Sequence, residues 1–324
     1  MKIEIPKMII DTRQTGKKRQ MILDICIFFL NMLIVGTITS SLSVLPSVIA
    51  IITSNEFIES MKFFEALEFE KGAELLSSLT FPWWITAVSL FLCISEISVS
   101  TVYCTAVERR GLHTMGLTRK HFFDEYSMGF LIGLVMFSAV VGLNLAFGGV
   151  SYSGISFNVS SLPIILTMLL GFIIQGAGEE FMLRGYFMVS LSRSNSMVSA
   201  IFWSSFIFAT LHIANPGISL LSLVNLMLFG IFAAIYFIKR GNLWGICAIH
   251  SAWNFVQGNV FGLPVSGTDA ENSVFGFTLT EGCKWINGGT FGLEGGLMST
   301  VVLLVSIVLV LLLKNKDLGQ PTEE

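Results

Sequence analysis

Charge is what this sequence has least of. Only 13% of its 324 residues are charged, where a soluble globular chain carries about a quarter. The net charge of -3 is small and gives no sign of a nucleic-acid partner. The five cysteines are an odd number without a CxxC pair, so neither a disulfide framework nor a zinc knuckle is expected. Cys26, Cys93, Cys104 and Cys247 fall in or beside apolar runs and read as small buried hydrophobes, whereas Cys283 sits in a polar loop. There is no HExxH, no Gly-rich phosphate loop, no internal repeat and no low-complexity tract. An ATP-driven pump therefore finds no support, and a transporter built from inverted repeats finds little.

What fills the sequence is apolar length. Hydrophobic residues make up 53% of the chain, and the mean hydropathy is +0.76. A helix needs about 20 apolar residues to cross a bilayer. That rule gives about eight spans, near 22–45, 81–105, 126–148, 162–188, 196–214, 218–238, 243–262 and 297–313, the first able to run past Pro46 towards Thr53. The expected fold class is an all-α polytopic membrane helical bundle. The first run lies behind a charged arm and reads as a retained anchor rather than a cleaved signal.

With the N-terminus inside, fifteen of the 19 Lys and Arg residues fall on the inner side, Lys2, Lys17 and Lys316 among them. Only Lys62, Lys71 and Lys284 fall outside, and Arg184 lies within a span. This asymmetry places both termini in the cytoplasm and the chain in the cell membrane. The expected organisation has three parts. Residues 1–125 hold a cytoplasmic arm, two spans with an outer amphipathic loop at 54–80, and a basic loop. Residues 126–262 form the core, and 263–324 carry a Gly-rich outer loop and the last span. That outer loop, at 263–296, either caps a cavity or hangs free, and its sequence supports both.

Within this apolar chain, GAGEEFMLRGYF at 176–187 stands out. A charge at the centre of a span costs about 2.5–3.5 kcal/mol. Glu180 and Arg184, at i and i+4, share a helix face and can pair. Glu179 is turned about 100° away and needs another neighbour or a watery cavity. Two adjacent carboxylates disfavour double ionisation, which suits one of them to proton transfer. Gln175 lies one turn before Glu179. His212, His250 and Asn254 are the further polar residues on neighbouring spans. His113 and His121 lie in the basic loop and read as solvated. Asp24, near the inner end of its span, is expected to reach interfacial water. Glu96, mid-span, reads as a structural residue that pairs with a neighbour or lines a cavity.

Depth argues against a simple meeting of these groups. In straight helices Glu179 is about 14 Å and His250 about 11 Å from the inner end, but His212 is about 24 Å from it. The break at Asn215-Pro216-Gly217 offers a resolution if the fifth span is short or tilted and this turn lies below the outer surface.

EExxxR at 179–184, FxxxH at 208–212 and HxxxN at 250–254, in this order on consecutive spans, resemble the CAAX protease and bacteriocin-processing family, also called the Abi or type II CAAX prenyl endopeptidase family. The resemblance covers about residues 160–260. It implies a metal-independent glutamate intramembrane protease with no cofactor. By motif, Glu179 would activate water with help from His212, His250 and Asn254 would stabilise the oxyanion, and Glu180 and Arg184 would support the site. It implies membrane lipid and a peptide or membrane-protein substrate as partners, and leaves open whether that substrate is lipidated. Two rivals stay open from sequence. One is a zinc protease using two histidines and a glutamate. The other is a non-catalytic immunity or peptide-binding membrane protein.

Overall fold

The computed structural model describes residues 5–15, 18–66, 68–77, 81–270 and 272–314. Lys2, Lys17, Lys316 and outer-loop residues 67 and 78–80 lie outside these ranges.

The apolar runs fold as helices, because a lipid-facing backbone must satisfy its own hydrogen bonds. A short α1 (Lys7–Thr15) precedes α2 (Met21–Thr53), which continues past Pro46 as the sequence allows. Two short helices follow, α3 (Asn55–Glu65) and α4 (Phe69–Ser77). They pack together with the Phe64 and Phe69 rings 6.1 Å apart, so the described part of the loop expected at 54–80 is a helical pair. The second apolar run is interrupted at Cys93 into α5 (Trp83–Leu92) and α6 (Ile94–Val102), with a π-helical turn to Val107. Next come α7 (Phe122–Ala146) and α8 (Leu162–Glu180); the latter runs on through a π-helical stretch, Phe181–Met188, into α9 (Val189–Leu191). The bundle is completed by α10 (Met197–Thr210), α11 (Leu220–Arg240), α12 (Trp244–Phe255), the one-turn α13 (Lys284–Asn287) and α14 (Leu297–Leu312).

Five of these helical runs are long and apolar enough to cross a membrane: Met21–Thr53, Trp83–Val107, Phe122–Ala146, Val159–Leu191 and Leu220–Arg240. Runs expected at 196–214, 243–262 and 297–313 are helical over shorter lengths. At 14 residues, α10 rises only about 21 Å. The outward faces of α2, α7 and α14 expose Leu33, Leu45, Val135, Leu304 and Val308, among others. Such a girdle fits lipid, and the chain is a multi-pass, all-helical membrane protein with one small addition. That addition is an antiparallel pair of strands, β1 (Val150–Ile155) and β2 (Phe275–Leu279), which ties the segment after α12 to the connection ahead of α8.

Helix α12 is the axis of the bundle. Ile246, Cys247, Ala248, Ile249, Ser251 and Ala252 are fully buried against neighbours that include α7 and α8. Helices in lipid associate by close packing of small residues rather than by a hydrophobic drive. Gly176 shows why: a Cβ there would lie 2.7 Å from the Ser251 backbone nitrogen. This approach sets the carboxylates at the end of α8 against the polar face of α12.

Candidate active site

Glu180 is fully buried at the last turn of α8, where the helix loosens into its π-helical stretch. Such interruptions free side chains from regular α spacing and recur at functional sites. Its Oε1 accepts from Arg184 Nη1 at 2.9 Å and from His250 Nδ1 at 2.9 Å. Arg184, itself fully buried, also donates to the Gly230 carbonyl at 3.3 Å and lies over the Phe208 ring at 4.9 Å. One carboxylate oxygen thus joins α8 to α12, and its guanidinium partner reaches α10 and α11. The link from Glu180 to His250 was not legible in spacing, because it crosses between helices 70 residues apart.

Glu179 faces the other way, as its angular offset demands. Its Oε1 accepts from Gln175 Nε2, whose own Oε1 accepts from Asn254 Nδ2 at 2.9 Å. Its Oε2 lies 3.8 Å from His250 Nε2 and has no hydrogen-bond partner among the described residues. The His250 ring is wedged edge-on against Phe229 and Phe208, with centroids at 4.9 and 6.0 Å. Its Nδ1 is held by Glu180, so Nε2 is the nitrogen turned to Glu179.

His212 lies beyond the end of α10, in the turn before α11. Its Nδ1 is 2.9 Å from the Phe208 carbonyl. A carbonyl only accepts, so Nδ1 carries the proton and Nε2 is left for other contacts. Because α10 stops at Thr210, His212 is not carried to the far end of a straight helix. The structure brings Glu179, His212, His250 and Asn254 to one cavity wall, with Gln175, Ser266 and Glu294. Glu180 and Arg184 stand behind it, outside the lining.

A larger cavity of about 450 Å³ adjoins this one and shares Gln175, Glu179, His212 and Asn254. Its remaining wall is largely apolar, with Ile85, Leu90, Met168, Phe172 and Val265. A third, of about 260 Å³, brings Glu96 towards Glu179 and His212. Glu96 Oε2 is buried without a hydrogen-bond partner among the described residues, and the side chain lines this third cavity. The segment 263–296 supplies Ser266 and Glu294 to the first cavity. It is a wall of the site, one of the two roles its sequence left open. Neither residue belongs to a motif; the only signal was a single acidic residue within a Gly-rich run. Among the described residues no group of three or more His, Cys, Asp or Glu is arranged to hold a metal ion.

Fold and site together define a multi-pass membrane protein with a charged, cavity-facing cluster inside its helical bundle. Residues 161–256 match the family model described as Type II CAAX prenyl endopeptidase Rce1-like. The matched segment contains all three motifs, and over it the chain is similar to the CAAX protease family that they resemble. No curated protein and no solved structure matches the chain significantly.

Proposed function

We propose that this protein is an intramembrane endopeptidase that hydrolyses a peptide bond with a water activated by Glu179, without a metal. The observation that carries this reading is the half-partnered Glu179 carboxylate. Gln175 fixes one oxygen, while the other has no hydrogen-bond partner among the described residues and lies 3.8 Å from His250 Nε2, on a side chain that lines the cavity. The match of segment 161–256 to a protease family model supports it.

In this mechanism a water held between Glu179 and His212 Nε2 gives its proton to Glu179 as its oxygen attacks the carbonyl carbon. The carbonyl π electrons move to oxygen, and the oxyanion accepts from His250 Nε2 and Asn254 Nδ2. Donation from Nε2 while Nδ1 binds Glu180 requires an imidazolium. Two carboxylates are then balanced by one imidazolium and one guanidinium, which suits a dry interior. Collapse of the intermediate breaks the C–N bond as Glu179 returns its proton to the leaving amine. A positioned acid–base group contributes about 10²–10⁴-fold, and each oxyanion donor about 10²–10³-fold.

The same reading takes the shorter helices α10, α12 and α14 as spans, giving eight, with 126–262 as the catalytic core. Both termini lie in the cytoplasm of a cell-membrane protein, as the Lys and Arg asymmetry favours. The larger cavity then opens towards the outer half of the bilayer, and its apolar wall suits a peptide with a bulky apolar group beside the scissile bond.

The test compares protein termini in membranes carrying the wild type or Glu179→Gln, with and without a chelator. New termini made only by the wild type, and unaffected by the chelator, support the proposal. Loss of those termini on chelation favours zinc. Identical termini in both membranes favour a non-catalytic peptide-binding protein.

A further inference from the structure

His212 raises a problem that the catalytic motifs leave unsolved. It sits on a turn that α10 holds from one side only, through the Phe208 and Ala209 carbonyls, so the far side of that turn needs its own anchor to keep it opposite His250 and Asn254. We infer that Ser266 and Glu294, both outside the 161–256 family match, form a positioning pair that clamps the His212 turn to helix α12.

The chain of contacts is continuous. Asn215 closes the turn by donating its backbone N–H to the His212 carbonyl at 3.0 Å. Its side-chain Nδ2 donates to the Ser266 carbonyl at 2.9 Å. Ser266 in turn donates its backbone N–H and its Oγ, the latter at 2.7 Å, to Glu294 Oε1. Glu294 Oε2 accepts from Trp253 Nε1 at 3.4 Å. Trp253 lies between His250 and Asn254 on α12, and its ring packs on Phe229, which also flanks His250. The Glu294 backbone carbonyl is held by Asn225 Nδ2 at 2.8 Å.

Two features mark this clamp as more than loop packing. Glu294 is a buried carboxylate, 8% exposed, and the donors it meets on Ser266 and Trp253 are neutral. A buried carboxyl without an ion pair is costly and persists where its hydrogen-bonding capacity is used. Ser266 holds a left-handed backbone at φ 49, a conformation that a non-glycine residue keeps only when its surroundings enforce it. The strands of the clamp also interleave at backbone distance. A Cβ at Gly267, φ 86, would lie 2.3 Å from the Pro216 carbonyl oxygen, and one at Gly292, φ 104, would lie 2.1 Å from that of Pro264.

This inference rests on the proposed peptidase reading for its kinetic arm but not for its structural arm. The variants are Glu294→Ala, Glu294→Gln and Ser266→Ala, purified as full chains in detergent. Each is assayed for kcat and KM and for cleavage of segment 263–296 by an added soluble protease. Misplacing a catalytic group by about 1 Å can cost about 10²-fold. Glu294→Ala should therefore lose about 10- to 100-fold in kcat, with little change in KM, and its segment should become cleavable. Glu294→Gln keeps an acceptor for the Ser266 N–H and should recover most of the turnover. Ser266→Ala should fall between them, and it carries the test if Glu294→Ala does not fold. Wild-type kcat in both Glu294→Ala and Ser266→Ala overturns the clamp. So does a well-folded Glu294→Gln that is as inactive as Glu179→Gln, since Glu294 would then act on the reacting atoms. If the wild type cleaves no peptide, the peptidase reading fails by itself. The clamp then stands if Glu294→Ala frees the segment, and falls if the segment stays resistant.

Discussion

Two of the places where the protein holds carboxylates within its bundle, at Glu108 and at Glu179, are partnered differently. At the end of the bundle where α2 begins, Glu108 is saturated. Arg110 donates to it at 2.6 Å, Ser190 at 2.9 Å and Arg19 at 3.3 Å, and Arg193 completes the set. Both of its oxygens are used, and the cluster fastens the chain ahead of α2 and the end of α9 to the turn after α6. In mid-bundle, Glu179 keeps an oxygen without a hydrogen-bond partner among the described residues, and that side chain is 21% exposed towards a cavity. Burial alone therefore does not single out Glu179, the proposed base. Glu179 combines an unpartnered oxygen with a place on the cavity wall that holds His212, His250 and Asn254, whereas Glu96, also with an unpartnered oxygen, is absent from that wall. Glu180 sharpens the contrast: its Oε2 is also unpartnered, but the side chain is sealed at 0% and lies outside the cavity wall.

This contrast can be broken by removing charges from each place in turn. Glu108→Ala should have the largest effect on stability, because it leaves the buried guanidiniums of Arg110 and Arg193 without their carboxylate. Breaking a buried pair from one side costs about 3–5 kcal/mol, so the melting temperature in detergent should fall steeply while turnover per folded molecule holds. Arg184→Ala leaves Glu180 with His250 as its remaining partner and should destabilise by an amount at the lower end of that range, about 3 kcal/mol. Unlike Glu108→Ala, it should also reduce kcat, since His250 is oriented by the same carboxylate oxygen. Asn254→Ala should leave the melting temperature nearly unchanged and lower kcat about 10²-fold, as expected for one oxyanion donor. His113→Ala is the smallest change. The ring is 60% exposed beside Asp11, and a surface substitution of this kind should shift stability by less than about 0.5 kcal/mol and leave turnover unaltered.

Much of this was legible in the sequence, for identifiable reasons. The i, i+4 spacing of Glu180 and Arg184 fixed their pairing, because helix geometry is local. The angular offset of Glu179 likewise predicted a neighbour other than Arg184. The Asn215-Pro216-Gly217 break correctly flagged that straight-helix depth would misplace His212; α10 ends before that residue. What was illegible depends on contacts between distant segments. The sharing of Glu180 by Arg184 and His250 needed the close approach of α8 and α12 at Gly176. The use of Ser266 and Glu294 in the cavity wall needed the folding-back of segment 263–296, and glycine-rich sequence says little about direction. Asp24 was expected to reach interfacial water, but it is 3% exposed and lies 3.8 Å from Arg19, inside the Glu108 cluster. Its distance along the helix was right, and the packing of α1 and the following arm over that end was not visible. The strand pair between 150–155 and 275–279 was missed although VSYSGI and FGFTL both alternate apolar with small or polar residues; each run is short, and its partner lies in a distant segment.

The most direct measurement is peptide turnover by purified Glu179→Gln beside Glu108→Gln, each normalised to folded protein. Glutamine keeps the size and the hydrogen-bonding oxygen of glutamate and removes its capacity to take a proton from water. Glu179→Gln should fold as the wild type does and give no detectable cleavage, whereas Glu108→Gln should fold poorly and cleave normally per folded molecule. Wild-type turnover by Glu179→Gln would contradict the assignment of that carboxylate as the base.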